Sequence, residues 1–185
     1  MKRTKTHSKL IVLTNDPSIT AWGYAVLNAQ GKVLTSGCIK TEPQAKKLRI
    51  RKGDDTIRRV SEINQQLLSI IKQYEVSYLL SELPHGSQNA AAARMIGIVT
   101  GIVQTISDVF QIGVEWYSEN DAKKAVSGKR NVTKQQMIEI IKTHYQMKWT
   151  GVKYKDEAVA DALAIHYTAC QQSSVLQFYK IRNHG

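Results

Sequence analysis

With 185 residues, 42% of them apolar, the chain is long enough for one compact core-forming domain, and a single domain over 1–185 is expected. No run of eighteen or more apolar residues occurs, and the basic start, Met1 to Lys9, leads into no signal-like stretch, which argues for a soluble intracellular protein. A net charge of +11 with a pI near 9.7 points to nucleic acid as partner, while two isolated cysteines, Cys38 and Cys170, exclude a disulfide framework or zinc site and read as buried or half-buried thiols.

After the basic arm, Leu10 to Leu13 reads as a buried strand closing at Thr14-Asn15-Asp16, so a carboxylate stands at a strand end. Trp22 to Asn28 and Lys32 to Ile39 are two further strands joined by the turn Ala29-Gln30-Gly31, completing an antiparallel meander. Thr41 to Gly53 is a basic loop carrying Lys46, Lys47, Arg49, Arg51 and Lys52. From Asp54 to Tyr74, Ile57, Val60, Ile63, Leu67, Leu68 and Ile71 recur at helical spacing, with Asp54 or Asp55 near the N-terminus where a carboxylate suits the dipole.

Val76 to Leu80 is a strand ending in Ser81-Glu82-Leu83-Pro84, where the proline stops pairing and an acid again closes a strand. Ala90 to Val109, apolar on nearly every side with Gly97 and Gly101 four apart, is expected to be a close-packed internal helix; Arg94 argues against a membrane segment. Val114 to Tyr117 is a strand, Asn120 to Val126 a short helix, and Thr133 to Tyr145 a helix capped by Thr133 after the polar loop Ser127 to Asn131. Asp156 to Cys170 is a helix with Val159, Ala160, Leu163, Ala164 and Tyr167 on its apolar face, followed by a tail, 173–185, in which Phe178-Tyr179 suggests partial docking. The order β-β-β-α-β-α-β-α-α-α is that of an α/β domain, a mixed sheet with helices on its faces.

Three sets of acids stand where a metal site would want them: Asp16 after the first strand, Glu82 after the fourth, and Glu157 with Asp161 on the last helix. Residues four apart share a helix face, so Glu157 and Asp161 can point into one site, whereas Asp156 points elsewhere. Several carboxylates with waters and a substrate phosphate make the hard-oxygen coordination that Mg²⁺ prefers, and a pair of ions is expected. Taken singly, Asp16 before Pro17 also suits a turn, Glu82 a solvated strand end, and the helix pair a solvated face.

The run Asp16-Pro17-Ser18-Ile19-Thr20-Ala21-Trp22-Gly23-Tyr24-Ala25-Val26 resembles the first motif of the RuvC-type Holliday-junction resolvases of the RNase H-like superfamily. Leu79-Leu80-Ser81-Glu82 resembles their second acidic motif, and Asp161-Ala162-Leu163-Ala164-Ile165 their C-terminal helix motif, so the resemblance runs from Leu10 to Cys170. The chain departs from the pattern at Asn15, at Ser18, and at Ala158, which stands where cellular members commonly carry the other helix acid. Glu157 takes that role here, with Asp156 as the alternative, and such departures fit a phage member.

The resemblance implies a five-stranded mixed sheet, its first three strands antiparallel, with helices on both faces. It implies a homodimer that cuts four-way junctions with two Mg²⁺ ions per site, Mn²⁺ substituting, inside a bacterial or phage-infected cell or another DNA-containing compartment. Asp16 is expected to bridge the ions, Glu82 to hold the water side, and Glu157 with Asp161 the other side. Lys123 and Lys134 match family positions, Lys124, Lys129 and Arg130 add to their patch, and Lys46, Lys47 and Arg49 form a second one for DNA. His85, in the loop His85 to Asn89, is placed to probe the branch point. Other branched DNA, an RNA/DNA hybrid, or non-catalytic DNA binding are the competing readings.

Overall fold

The computed structural model describes residues 10–45 and 49–182, so Met1 to Lys9 and two of the DNA-binding candidates, Lys46 and Lys47, lie outside the described residues. Strands β1 (Ile11–Asp16), β2 (Ala21–Asn28) and β3 (Val33–Lys40) form the expected meander. Helix α1 (Lys52–Tyr74) leads to β4 (Tyr78–Glu82), and α2 (Ala90–Phe110) to β5 (Gly113–Tyr117). Helices α3 (Glu119–Ser127), α4 (Lys134–His144), α5 (Lys153–Gln172) and α6 (Ser174–Arg182) complete the chain. The sheet order is β3-β2-β1-β4-β5, antiparallel among the first three strands and parallel from β1 through β4 to β5.

Side chains alternate across a strand, and β1 divides its residues accordingly. Ile11 and Leu13 join Trp22, Val26 and Leu79 in a core closed by α1 and α2. Val12 joins Ala25, Leu27 and Leu80 in a second core closed by α3, α4 and α5. Both faces of the sheet are therefore covered, as crossover connections between parallel strands require. Thr14 continues the second face, and its hydroxyl donates to the Ala162 carbonyl at 2.6 Å, tying α5 to β1. Asn15 looks the other way, where a buried amide replaces an apolar residue. Its Oδ1 accepts from the Trp22 indole at 3.1 Å and its Nδ2 donates to the Leu80 carbonyl at 3.2 Å, so the polar group is satisfied.

Three expectations are corrected. Ile57 does not belong to the buried stripe of α1 but is 67% exposed, because Thr56 and Arg59 take the inward positions of that turn. Helix α2 is not close-packed on all sides: Gly97 and Gly101 face open space, while Val99, Ile102, Val103 and Ile106 are buried beneath the sheet with Ile98 and Phe110 partly buried beside them. By length and composition α2 is apolar enough to cross a membrane, yet that buried stripe belongs to the domain core. Cys170 is exposed rather than buried. The tail folds as α6, docked where the Ser173 hydroxyl donates to the Glu115 carboxylate at 2.9 Å, a carboxylate also bound by the Tyr78 and Tyr117 hydroxyls.

Candidate active site

Because β1 and β4 run parallel with Asn15 beside Ser81, their C-terminal ends lie side by side, and the next residues, Asp16 and Glu82, emerge on the face that α5 covers. Helix α5 can approach closely because Gly23 of β2, the cross-strand partner of Asp16, has no side chain beneath the Ala158 backbone. That approach brings Asp161 over the strand ends. Asp16, Glu82 and Asp161 then line one cavity of about 290 Å³ together with Glu119, Lys123 and Lys134.

Burial, followed by the charges of Glu82 and Asp161, holds Asp16 well above the usual carboxylate range. Burial and then the Asp161 and Glu119 charges push Glu82 up to about 7. Burial also raises Asp161, although Lys134 pulls the other way. The Lys134 ammonium is 3.5 Å from Asp161, whose charge raises it, and the Lys123 ammonium is 2.6 Å from Glu119. Among the described residues no three His, Cys, Asp or Glu side chains are arranged to grip an ion as they stand. The two lysine ammonium groups offset the charge of Asp161 and Glu119.

The helix acids separate. Glu157 is half-buried one turn before Asp161 and close enough for its charge to raise that group, but it is absent from the cavity wall and its nearest cation is Lys153 at 4.0 Å. Asp156 is committed elsewhere: its carboxylate accepts from the Thr150 and Gly151 amides and the Thr150 hydroxyl at 2.7–3.0 Å. Like Glu157, it is absent from the cavity wall. Lys124, Lys129 and Arg130 are exposed on α3 and its following loop, Arg49 is exposed before α1, and His85 is exposed after β4. The His85 charge reaches Glu119, so it stands near the cavity mouth.

Glu119 was not among the expected site residues, although an acid just after a strand is the same signal that singled out Asp16 and Glu82. Arg59 is the other unforeseen participant. It is buried on α1, with its Nε donating to the Thr41 hydroxyl at 2.8 Å and an Nη to the Ile19 carbonyl at 3.0 Å, which pins the turn that follows Asp16.

A sequence model of the family described as Crossover junction endodeoxyribonuclease RuvC matches residues 12–169. The chain belongs to the RuvC family. A RuvC family protein of Desulforamulus reducens, named crossover junction endodeoxyribonuclease, is 31% identical over 169 residues, 89% of this chain and 96% of that one. A Rickettsia africae member of the same name is 29% identical over 163 residues, 86% of this chain and 96% of its own length. Among solved structures, Thermus thermophilus RuvC in complex with Holliday junction substrate superposes with a TM-score of 0.69 at 21% identity, covering 87% of this chain and 93% of that one. The yeast mitochondrial Holliday junction resolvase Ydc2 does so with a TM-score of 0.61 at 12% identity, over 91% and 81%. The RuvC family fold, a five-stranded mixed sheet between two helical layers, is thus shared by this chain, and all four cavity acids fall inside the matched range.

Proposed function

We propose that the chain is a divalent-metal-dependent endonuclease that hydrolyses phosphodiester bonds at four-way DNA junctions in recombination and repair. The observation that carries this reading is the convergence of Asp16, Glu82 and Asp161, from three elements far apart in sequence, on one cavity that also holds two lysines. Family membership and the junction named with the Thermus relative support the choice of substrate.

The donors fit a hard cation. Burial first, and neighbouring carboxylate charge second, drives the three acids toward protonation, and a divalent ion offsets buried negative charge as a proton does. Asp16, flanked by the other two acids, would hold both of two Mg²⁺ or Mn²⁺ ions, Glu82 one, and Asp161 the other, with Glu157 adding its charge from one turn away. Bound there, the ions supply a water made nucleophilic near neutral pH and charge stabilisation for the leaving 3′ oxygen.

The chain's own residues do the rest. Lys123 and Lys134 are the cationic groups in the wall that can take the phosphate flanking the scissile bond. Lys124, Lys129, Arg130 and Arg49, with Lys46 and Lys47, lead the backbone toward the cleft, contacts that position without specifying sequence. His85 meets the branch point. A homodimer delivers paired cuts, and we place its contact on the apolar groove of about 490 Å³ between α1 and α2, lined by half-buried Val60, Leu68 and Phe110 and exposed Gly97, Gly101 and Val109. The protein works in an intracellular compartment that holds DNA, the cytoplasm of a bacterial or phage-infected cell.

Cleavage of junction, fork, flap, RNA/DNA hybrid and duplex substrates with Mg²⁺ or Mn²⁺ tests this. The junction should be cut best and Asp16→Asn should reduce cutting to background. Preference for the hybrid, or an undiminished Asp16→Asn enzyme, would defeat the reading.

A further inference from the structure

Glu119 is the fourth carboxylate of the cleft, and its partner is a lysine of the same cleft. It stands at the first position of α3, immediately after Ser118, whose side chain and that of Asp121 close a capping box that fixes the helix start. One turn on, Lys123 projects from the same face, and its ammonium sits 2.6 Å from a Glu119 carboxylate oxygen. Glu placed four residues before Lys is the favourable orientation of such a pair. The contact draws the Glu119 carboxyl below the usual range, so it is a charged partner near neutral pH. Both side chains remain partly exposed, at 44% and 27%, and the lysine can therefore exchange partners.

The two lysines of the cleft are held differently. Lys134 leans on Asp161, which is one of the acids assigned to the metal, so a cation entering there competes with Lys134. The one ion pair of Lys123 is with Glu119, which is not assigned to the metal, and although its charge also reaches Glu82, an incoming phosphate is what competes directly for that contact. We propose that Glu119 is a positioning residue: it holds Lys123 in the cleft as a phosphate would, and so sets how strongly the cleft takes DNA before any divalent cation is present. This rests on the endonuclease reading above.

The test is junction affinity in EDTA, by fluorescence anisotropy at fixed salt, for the wild type, Glu119→Gln, Lys123→Gln and the double variant. Glu119→Gln should tighten metal-free binding about two- to fivefold, the range expected for freeing a partly exposed ion pair. Lys123→Gln should weaken it, and in that background Glu119→Gln should change little. An unchanged affinity in Glu119→Gln overturns the proposal, as does an equal tightening without Lys123, which would make Glu119 a bulk charge only. A loss of Mn²⁺ affinity in Glu119→Gln, read by direct titration, with DNA affinity unmoved would make it a metal ligand and also overturn it. Mg²⁺-dependent junction cleavage by the same wild-type preparation reports separately on the endonuclease reading.

Discussion

A methyl group on Gly23 would lie 1.9 Å from the carbonyl oxygen of Ala158. The clash is with helix backbone, which cannot rotate away as a side chain would, so any residue larger than glycine must lift α5 from the sheet. Since Gly23 pairs with Asp16 and Ala158 lies between Glu157 and Asp161, the same lift separates the two acid-bearing elements.

Gly23→Ala should therefore lose activity out of proportion to stability. Overpacking of this kind costs about 1–3 kcal/mol. Misplacing catalytic groups by an ångström costs about a hundredfold in rate. Thermal melts and junction cleavage under single-turnover conditions check this; a rate within threefold of wild type would show that α5 accommodates the methyl group without moving Asp161.

The cleft acids should make the metal-free protein less stable as pH rises. Their folded pKa values lie above the unfolded ones, so between about pH 4.5 and pH 7 the native state binds more protons than the unfolded chain. The protons are lost as pH climbs through the Glu82 value of about 7, and the repulsion returns. In EDTA the melting temperature should fall across that window and recover on adding Mg²⁺. Glu82→Gln should flatten the dependence and raise the metal-free melting temperature at pH 8 by about 3–6 °C. Buried His166, whose pKa is lowered by burial to about 4, contributes the opposite slope below pH 6.5, so the descent belongs to the upper part of the window.

Arg59 should matter to both fold and site. Removing its fork in Arg59→Met strips hydrogen bonds from the Thr41 and Thr20 hydroxyls and the Ile19 carbonyl. Charge-assisted bonds of this kind contribute about 1.5–3 kcal/mol, so a drop in melting temperature of about 4–10 °C is expected. Arg59→Lys should recover little, since an ammonium cannot span the same acceptors.

Gly101→Lys isolates the dimer contact. Glycine at an exposed helix position is about 1 kcal/mol worse than a good helix former, and no atom stands within 4 Å of the new Cβ, so the monomer should fold at least as well. Light scattering should then show a monomer that binds one junction arm but loses paired incision; an unchanged dimer would place the contact elsewhere.

Lys134→Ala should weaken junction binding at all sequences alike and reduce the slope of log affinity against log salt by about 1. A slope equal to that of the wild type would mean that Lys134 stays with Asp161 in the complex.

The strands and helices were readable because their patterns are local. Acid-terminated β1 and β4, the period of α1, and the Thr133 cap each show in a few consecutive residues. The face that each helix turns inward was less readable. Ile57 fits the α1 period as well as its neighbours do, yet the buried Arg59 beside it is drawn in by hydrogen bonds to a turn forty residues upstream, which no period reports. The glycines of α2 suggested tight packing, but a small residue marks a close contact only when a neighbour is present, and among the described residues nothing stands within 4 Å of a Cβ at Gly97 or Gly101. Asp156 and Glu157 were adjacent candidates, and the loop at Thr150-Gly151, which binds the Asp156 carboxylate, gives them different surroundings. Glu119 escaped notice because, Lys123 apart, its charged site partners lie on four other elements.

The alternation of β1 and β4 makes the catalytic face a matter of odd and even. Thr14 and Asp16 share a side with Leu80 and Glu82, while Leu13 and Asn15 take the reverse. Inserting or deleting a single residue within either strand would turn its terminal acid toward α1 and α2, away from Asp161, whereas loops of any parity between the strands leave the arrangement intact. Drift in chain length among relatives should accordingly collect in the connections and spare the two short strands.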